Sequence, residues 1–184
     1  MRAIDAANGR DPERAEVGAT RRPNALVDAD LVTAWVRRLD ANPSDALLLA
    51  ARAHHIRRWE IPRHTYPSGR VGYLRWRDDL HSHHGSLTAG ILSAEGFGEG
   101  TVSRVRELVE KRAPDDDPDA QTLEDALCLV FLERQLTALA DRLDEDKVIS
   151  VLRRTARKMS ERARDEIADL ALTPDARALV ERAL

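Results

Sequence analysis

Apolar residues along this chain recur at spacings of three and four, and the elements they predict are helices. Leu31, Trp35 and Leu39 set a first firm helix over residues 28–40. Asn42-Pro43 reads as an N-cap followed by a first-turn proline, opening a helix over 43–59 that is apolar along Leu47 to Ala53. Pro62, Pro67 and Gly69 punctuate a loop from Ile61 to Gly72. Helices follow over 73–94, stopping near Gly96, and over 101–112 with Val102, Val105, Leu108 and Val109 on one side. Beyond the acidic loop 114–119, Leu123 to Leu143 is apolar on nearly every side, the mark of a central, buried helix. Asp144 and Asp146 open a helix through Met159, Ser160 begins another, and Thr173-Pro174 caps a last one. Residues 1–26 are polar, with Pro12 and Pro23, and read as a short helix or irregular arm. No stretch alternates as a strand does. The expected architecture is all-α: an arm over 1–26, and a helical domain over 27–184 that is a bundle of seven or eight helices.

Composition narrows the setting. The chain has 184 residues, 42% of them hydrophobic and 33% charged, with a net charge of -3. That balance gives no overall attraction to nucleic acid or membrane, so any anion binding must be local. Cys128 is the lone cysteine, which rules out an internal disulfide and fits a reducing cytoplasm. No apolar run approaches a membrane span, and the first residues carry no secretory signal. Oligomeric state is not readable.

The candidate chemistry is concentrated. All six histidines lie between His54 and His84, among Arg52, Arg57, Arg58, Arg63, Arg70, Arg75 and Arg77, with Trp59, Tyr66, Tyr73 and Trp76 interspersed. Helical phase puts His55 behind Leu48 and Ala51, His84 among Trp76, Leu80, Leu87 and Ile91, and Asp125 with Cys128, Leu129 and Leu132. Three helices each turn one ionisable group inward. Glu124 lies beside Asp125, and Lys111 follows Leu108 by three. The expected catalytic set is therefore His55, His84, Asp125, Glu124 and Lys111. His54 falls at the pocket edge, with His81 and His83 toward the rim. The loop supplies a second constellation, because guanidinium groups stack on aromatic rings and clamp phosphates or carboxylates. Arg57, Arg58, Trp59, Arg63, Arg70, Tyr73, Trp76 and Arg77 are the expected substrate-binding residues.

Three strings carry a resemblance: Ala51-Arg52-Ala53-His54-His55-Ile56-Arg57-Arg58-Trp59-Glu60-Ile61-Pro62-Arg63, then Gly72-Tyr73-Leu74-Arg75-Trp76-Arg77, then Gln121 to Glu133. Together they resemble the uncharacterised domain of unknown function 4202 family, over nearly the whole chain. More distantly, the order of elements resembles HD-domain metal-dependent phosphohydrolases. His54-His55 stands where the superfamily has His-Asp, His84 opens a later segment, and Asp125 is the final aspartate. The missing aspartate makes the motif degenerate. That resemblance implies a hydrolase acting on a phosphorylated or nucleotide-like small molecule, with a divalent metal held by His55, His84 and Asp125. The alternative is a non-catalytic anion- or nucleotide-binding module on the same scaffold. The expected partner is an anionic small molecule rather than nucleic acid or membrane.

Overall fold

The computed structural model describes residues 1–184. It is predominantly helical: α1 (Arg2–Asn8), α2 (Asn24–Leu39), α3 (Asp45–Ala53), α4 (Gly69–Ala94), α5 (Glu99–Val109), α6 (Pro118–Ala140), α7 (Glu145–Ala156), α8 (Glu161–Asp165) and α9 (Pro174–Ala183). A small antiparallel hairpin, β1 (Arg14–Val17) and β2 (Thr20–Pro23), precedes α2.

The apolar segment is the axis of the fold. The Asp117 carboxylate accepts from the Ala120 amide (2.9 Å) and Pro118 occupies the first turn, so α6 starts with its free amide groups satisfied. Along α6, Leu123, Ala126, Leu129, Leu132 and Leu136 are buried, and the helix packs against α2, α3, α5, α7, α8 and α9. Each such leucine stabilises the fold by roughly 2 kcal/mol through burial. Asp144, Ser160 and Thr173 cap α7, α8 and α9 as their residue types predict.

Three expectations are corrected. Residues 14–23 form strands, because Gly18 takes a left-handed conformation (φ 59°) that lets the chain reverse between Val17 and Thr20. The second predicted helix begins at Asp45 with Ser44 as its cap, leaving Asn42-Pro43 outside, and it ends at Ala53 rather than at residue 59. The predicted loop 61–72 is shortened by α4, which starts at Gly69, and it contains a short 3-10 turn over Arg63–Thr65. Within the arm, Ile4 and Ala7 of α1 are buried in the main core.

Asp11 explains how the hairpin is held. The N-cap of α2 is Pro23, which has no capping side chain. Asp11 substitutes from outside the helix: its Oδ2 accepts from the Ala25 amide (2.8 Å) and its Oδ1 from the Glu13 amide (2.9 Å).

α4 lies against α5 by way of a missing side chain. A Cβ at Gly85 would overlap the Glu110 side chain, which is buried and held by Arg106 and Arg112. Gly85→Ala should therefore lower stability by about 1–3 kcal/mol through overpacking, despite alanine's better helix propensity. Thermal unfolding of the variant checks this; an unchanged or raised Tm would contradict it.

Candidate functional site

The site begins where α3 stops. After Ala53 the backbone tightens, the Ile56 amide donating to the Ala53 carbonyl (3.0 Å), and Arg57 then turns left-handed (φ 48°). A short 3-10 turn, Arg58–Glu60, follows. His55 thus lies beyond the helix, and the phase that put it behind Leu48 and Ala51 does not carry through. His54 is the more buried of the pair, 7% exposed, with its Nδ1 on the Ala51 carbonyl (2.9 Å); His55 is half-buried. The order of burial is the reverse of the one expected from helical phase, while His55 is the one of the two that lines a cavity.

Arg58 lies over the ring of Trp76 on α4, 4.8 Å from its centroid. Trp76 in turn donates its indole N–H to the Ile61 carbonyl (2.9 Å) and stands 5.8 Å from Tyr73, on which Arg77 stacks at 5.9 Å. This Arg-Trp-Tyr-Arg ladder fixes the 58–62 segment to α4. Beside it opens a cavity of about 730 Å³, in the size range that takes small molecules. Its walls include His55, Arg58, Trp59, Arg63, His64 and Trp76 from the predicted region. Its other walls include Asp11, Glu13, Asn24 and Asp28, with Gln135 of α6 and Arg142 just beyond that helix. The sequence reading missed those walls, which no local pattern signals. Arg57, Arg70, Tyr73 and Arg77 do not line the cavity: Arg57 pairs with Glu60 (3.4 Å), and Tyr73 and Arg77 belong to the ladder.

The charges in the cavity are unevenly matched. Asp28 is bound by Arg134 (2.8 Å), and burial, against the pull of Arg134, raises its carboxyl above the usual range. Arg63 donates to the Tyr66 carbonyl (3.0 Å). Arg58 and Arg142 have no carboxylate partner. Crowding by protein lowers the Arg58 pKa, while the nearby Tyr73 and Asp28 oppose the drop.

Behind this wall four imidazoles run together: His54–His55 at 4.3 Å, His55–His84 at 6.0 Å and His83–His84 at 5.8 Å between centroids. His84 Nδ1 meets the Ile56 carbonyl (2.7 Å), a contact that requires Nδ1 to carry the proton and leaves Nε2 as a buried acceptor with no partner. Burial pushes His54 down to about 4 and His84 down to about 3, and holds His55 well below its ordinary value. His83 approaches Glu60 at 3.4 Å, and His81 is half-buried, pushed down to about 4 by burial and by Lys111.

Asp125 does not join them. Its Oδ1 accepts from the Ser160 amide (2.8 Å) and from Gln121 (2.9 Å), and its Oδ2 from the Ser160 hydroxyl (2.6 Å). It is a buried clamp that fixes the start of α8 to α6. Glu124 is bracketed by Lys111 and by Lys158 (3.0 Å). His55, His84 and Asp125 are not gathered into a set that could hold a metal, nor are any other three His, Cys, Asp or Glu side chains.

By fold this is an all-α protein with one small hairpin, and its largest described cavity is walled by arginine, tryptophan and histidine. The chain matches the family described as Domain of unknown function (DUF4202) across residues 1–180, and it belongs to that family. No curated protein and no solved structure shows a match to it.

The buried imidazoles make stability depend on pH. In the unfolded chain they take up protons near pH 6.5, whereas in the folded chain they resist until about pH 4 or below. The unfolded state therefore holds more protons in that window, and stability falls as pH drops from about 6.5 to 4. Each such group contributes a slope on the order of 1 kcal/mol per pH unit. Denaturant midpoints over pH 4–7 should show this fall. In His54→Gln the slope should shrink relative to the wild type.

Proposed function

We propose that this protein binds a small phosphate- or carboxylate-bearing molecule in the cavity beside Trp76. The observation that carries this reading is Arg58: a guanidinium placed over an indole, 4.8 Å from the ring centroid, exposed at the wall of a cavity and with no carboxylate to neutralise it. Stacking occupies the face of the guanidinium and leaves its N–H edge free for a planar oxyanion. Arg142 supplies a second unpaired cation, while Trp59, Ile61 and Pro62 supply apolar surface for the rest of the ligand. A nucleotide-like phosphate ester fits that mixture of charge and flat apolar wall. The carboxylates Glu13 and Asp28 on the other walls select against a ligand that is anionic throughout.

Hydrolysis of a bound phosphate ester is the second reading, favoured by His55, a neutral imidazole in the same cavity as Arg58. Such an imidazole is free to accept a proton from water attacking the ester. On this reading the chain is a degenerate HD-type scaffold, supported by the order of His54-His55, His84 and Asp125 in the sequence. The residues do not fit the divalent metal of that superfamily: Asp125 spends both oxygens on Ser160 and Gln121. No metal-dependent step is assigned. The reducing cytoplasm is the setting this reading adopts, in keeping with the single, buried Cys128, whose thiol is pushed up to about 12 by burial.

Isothermal titration with inorganic phosphate, pyrophosphate and a nucleoside monophosphate tests binding. At least one should bind the wild type, and Arg58→Ala should weaken it tenfold or more, about 1.4 kcal/mol. Arg58→Lys should recover little, since an ammonium cannot present the same fork. If no oxyanion binds, or if Arg58→Ala binds as well as the wild type, the reading fails. For the second reading, phosphate release from a monophosphate ester should fall in His55→Gln while ester binding persists.

A further inference from the structure

The backbone turns left-handed at five positions, and three of them are glycine: Gly18, Gly69 and Gly96. The other two are Arg57 and Lys111 (φ 56°). Lys111 follows the end of α5 in a tight helix-terminating turn. Its own amide donates to the Leu108 carbonyl (3.2 Å), and the Arg112 amide reaches back to Glu107 (2.9 Å). That pair of bonds defines a helix stop whose left-handed residue is ordinarily glycine, because a Cβ is strained there. A lysine at this position works against local stability, and backbone strain of this kind is maintained where the side chain has a task.

The Lys111 side chain has a specific place to act. It borders a cleft of about 210 Å³ between the end of α5 and the first turns of α6. That is below the roughly 300–1,000 Å³ of cavities for drug-sized molecules, so its occupant is small. Leu108, Leu123 and Leu127 form an apolar wall, closed by Ala113 and Ala120. At the polar end stand Lys111, Glu124, Gln121 and Asp115. Glu124 is paired with Lys111 and Lys158, and Asp115, in the same cleft, has no ion-pair partner. One cation, two carboxylates and an apolar wall thus converge on a volume suited to a few carbon atoms. An all-anionic ligand would meet Glu124 and Asp115, and a purely cationic one would meet Lys111. A zwitterion with an apolar tail satisfies every wall.

We propose that this cleft binds an apolar α-amino acid that inserts into the Lys111–Glu124 pair: Lys111 exchanges Glu124 for the ligand carboxylate, Glu124, which keeps Lys158, and Asp115 take its ammonium, and the Leu108–Leu123–Leu127 wall takes its side chain. The site is separate from the Arg58 cavity and shares no lining residue with it.

Isothermal titration with leucine and two truncated analogues tests the assignment. The analogues are 4-methylpentanoate, which lacks the ammonium, and 3-methylbutylamine, which lacks the carboxylate. The wild type should bind leucine saturably, and each analogue at least tenfold more weakly. Lys111→Gly should bind leucine at least tenfold more weakly while its Tm stays unchanged or rises, since glycine relieves the left-handed strain. Arg58→Ala should bind leucine as the wild type does, which separates this outcome from the fate of the anion cavity. Absence of saturable leucine binding overturns the proposal, as does equal binding of the truncated analogues. It is also overturned if Lys111→Gly keeps full affinity, or if that variant melts several degrees lower, which would mark Lys111 as a structural ion-pair residue.

Discussion

Arg52 is the charge around which the N-terminal half is organised. It is 8% exposed, near the end of α3, and a cation so placed must be answered by carboxylates or the fold cannot retain it. Asp5 of α1 accepts from its Nε (2.8 Å) and Nη2, and Asp30 of α2 accepts from Nη1. Asp30 is shared with Arg22 on the hairpin, and the Arg52 carbonyl accepts from Asn8 (2.9 Å). One guanidinium therefore fixes α1, α2, α3 and the hairpin relative to each other. Burial works against the Asp30 charge, but bonds from Arg52 and Arg22 overcome it and hold the carboxyl below its usual range. The clasp thus persists through the neutral range and is lost only in acid. The histidine pair begins two residues beyond Arg52, so the position of the cavity wall is inherited from this clasp.

The same economy decides which arginines remain available. Arg22, Arg38, Arg52, Arg104, Arg106, Arg112 and Arg134 are all committed to carboxylates. Arg58 is different because its neighbours are aromatic. Trp76 holds it in place without neutralising it, so position and charge are supplied by different partners. An ion pair would have fixed the side chain equally well, but a ligand would then have to break that pair before using the charge.

Much of this architecture was legible in the sequence, and what was legible was local. The caps at Asp144, Ser160 and Thr173 act on amides three residues away, so their residue types foretell them. The burial of α6 follows from apolar residues all round one helix. The aromatic-arginine loop was visible because stacking partners lie close in the chain, as Arg58 and Trp76 do. What escaped was long-range. Asp11 caps a helix that starts after an intervening hairpin, and strands of four mostly polar residues carry no alternation to read. The early stop of α3 is fixed in part by His84, whose imidazole holds the Ile56 carbonyl from 28 residues away.

Asp125 shows why helical phase alone overreached. Phase correctly turned it inward, and an inward carboxylate must find donors. A metal and a set of hydrogen-bond donors answer that demand equally well, and nothing in the spacing of α6 distinguishes them. Gln121 supplies one donor from the preceding turn of α6, and the other two come from Ser160, 35 residues on, at the turn that starts α8. There the carboxylate accepts the Ser160 amide and hydroxyl, and the hydroxyl oxygen in turn accepts the Ala163 amide (3.2 Å). Burial therefore only raises the question of a partner, which Asp125 answers and His84 Nε2 does not, and the partner's identity separates a structural clamp from a reactive centre. By that criterion Asp125 belongs to the scaffold. The groups in the cavity whose bonding capacity is unspent, Arg58 and His55 foremost, are the ones left for chemistry.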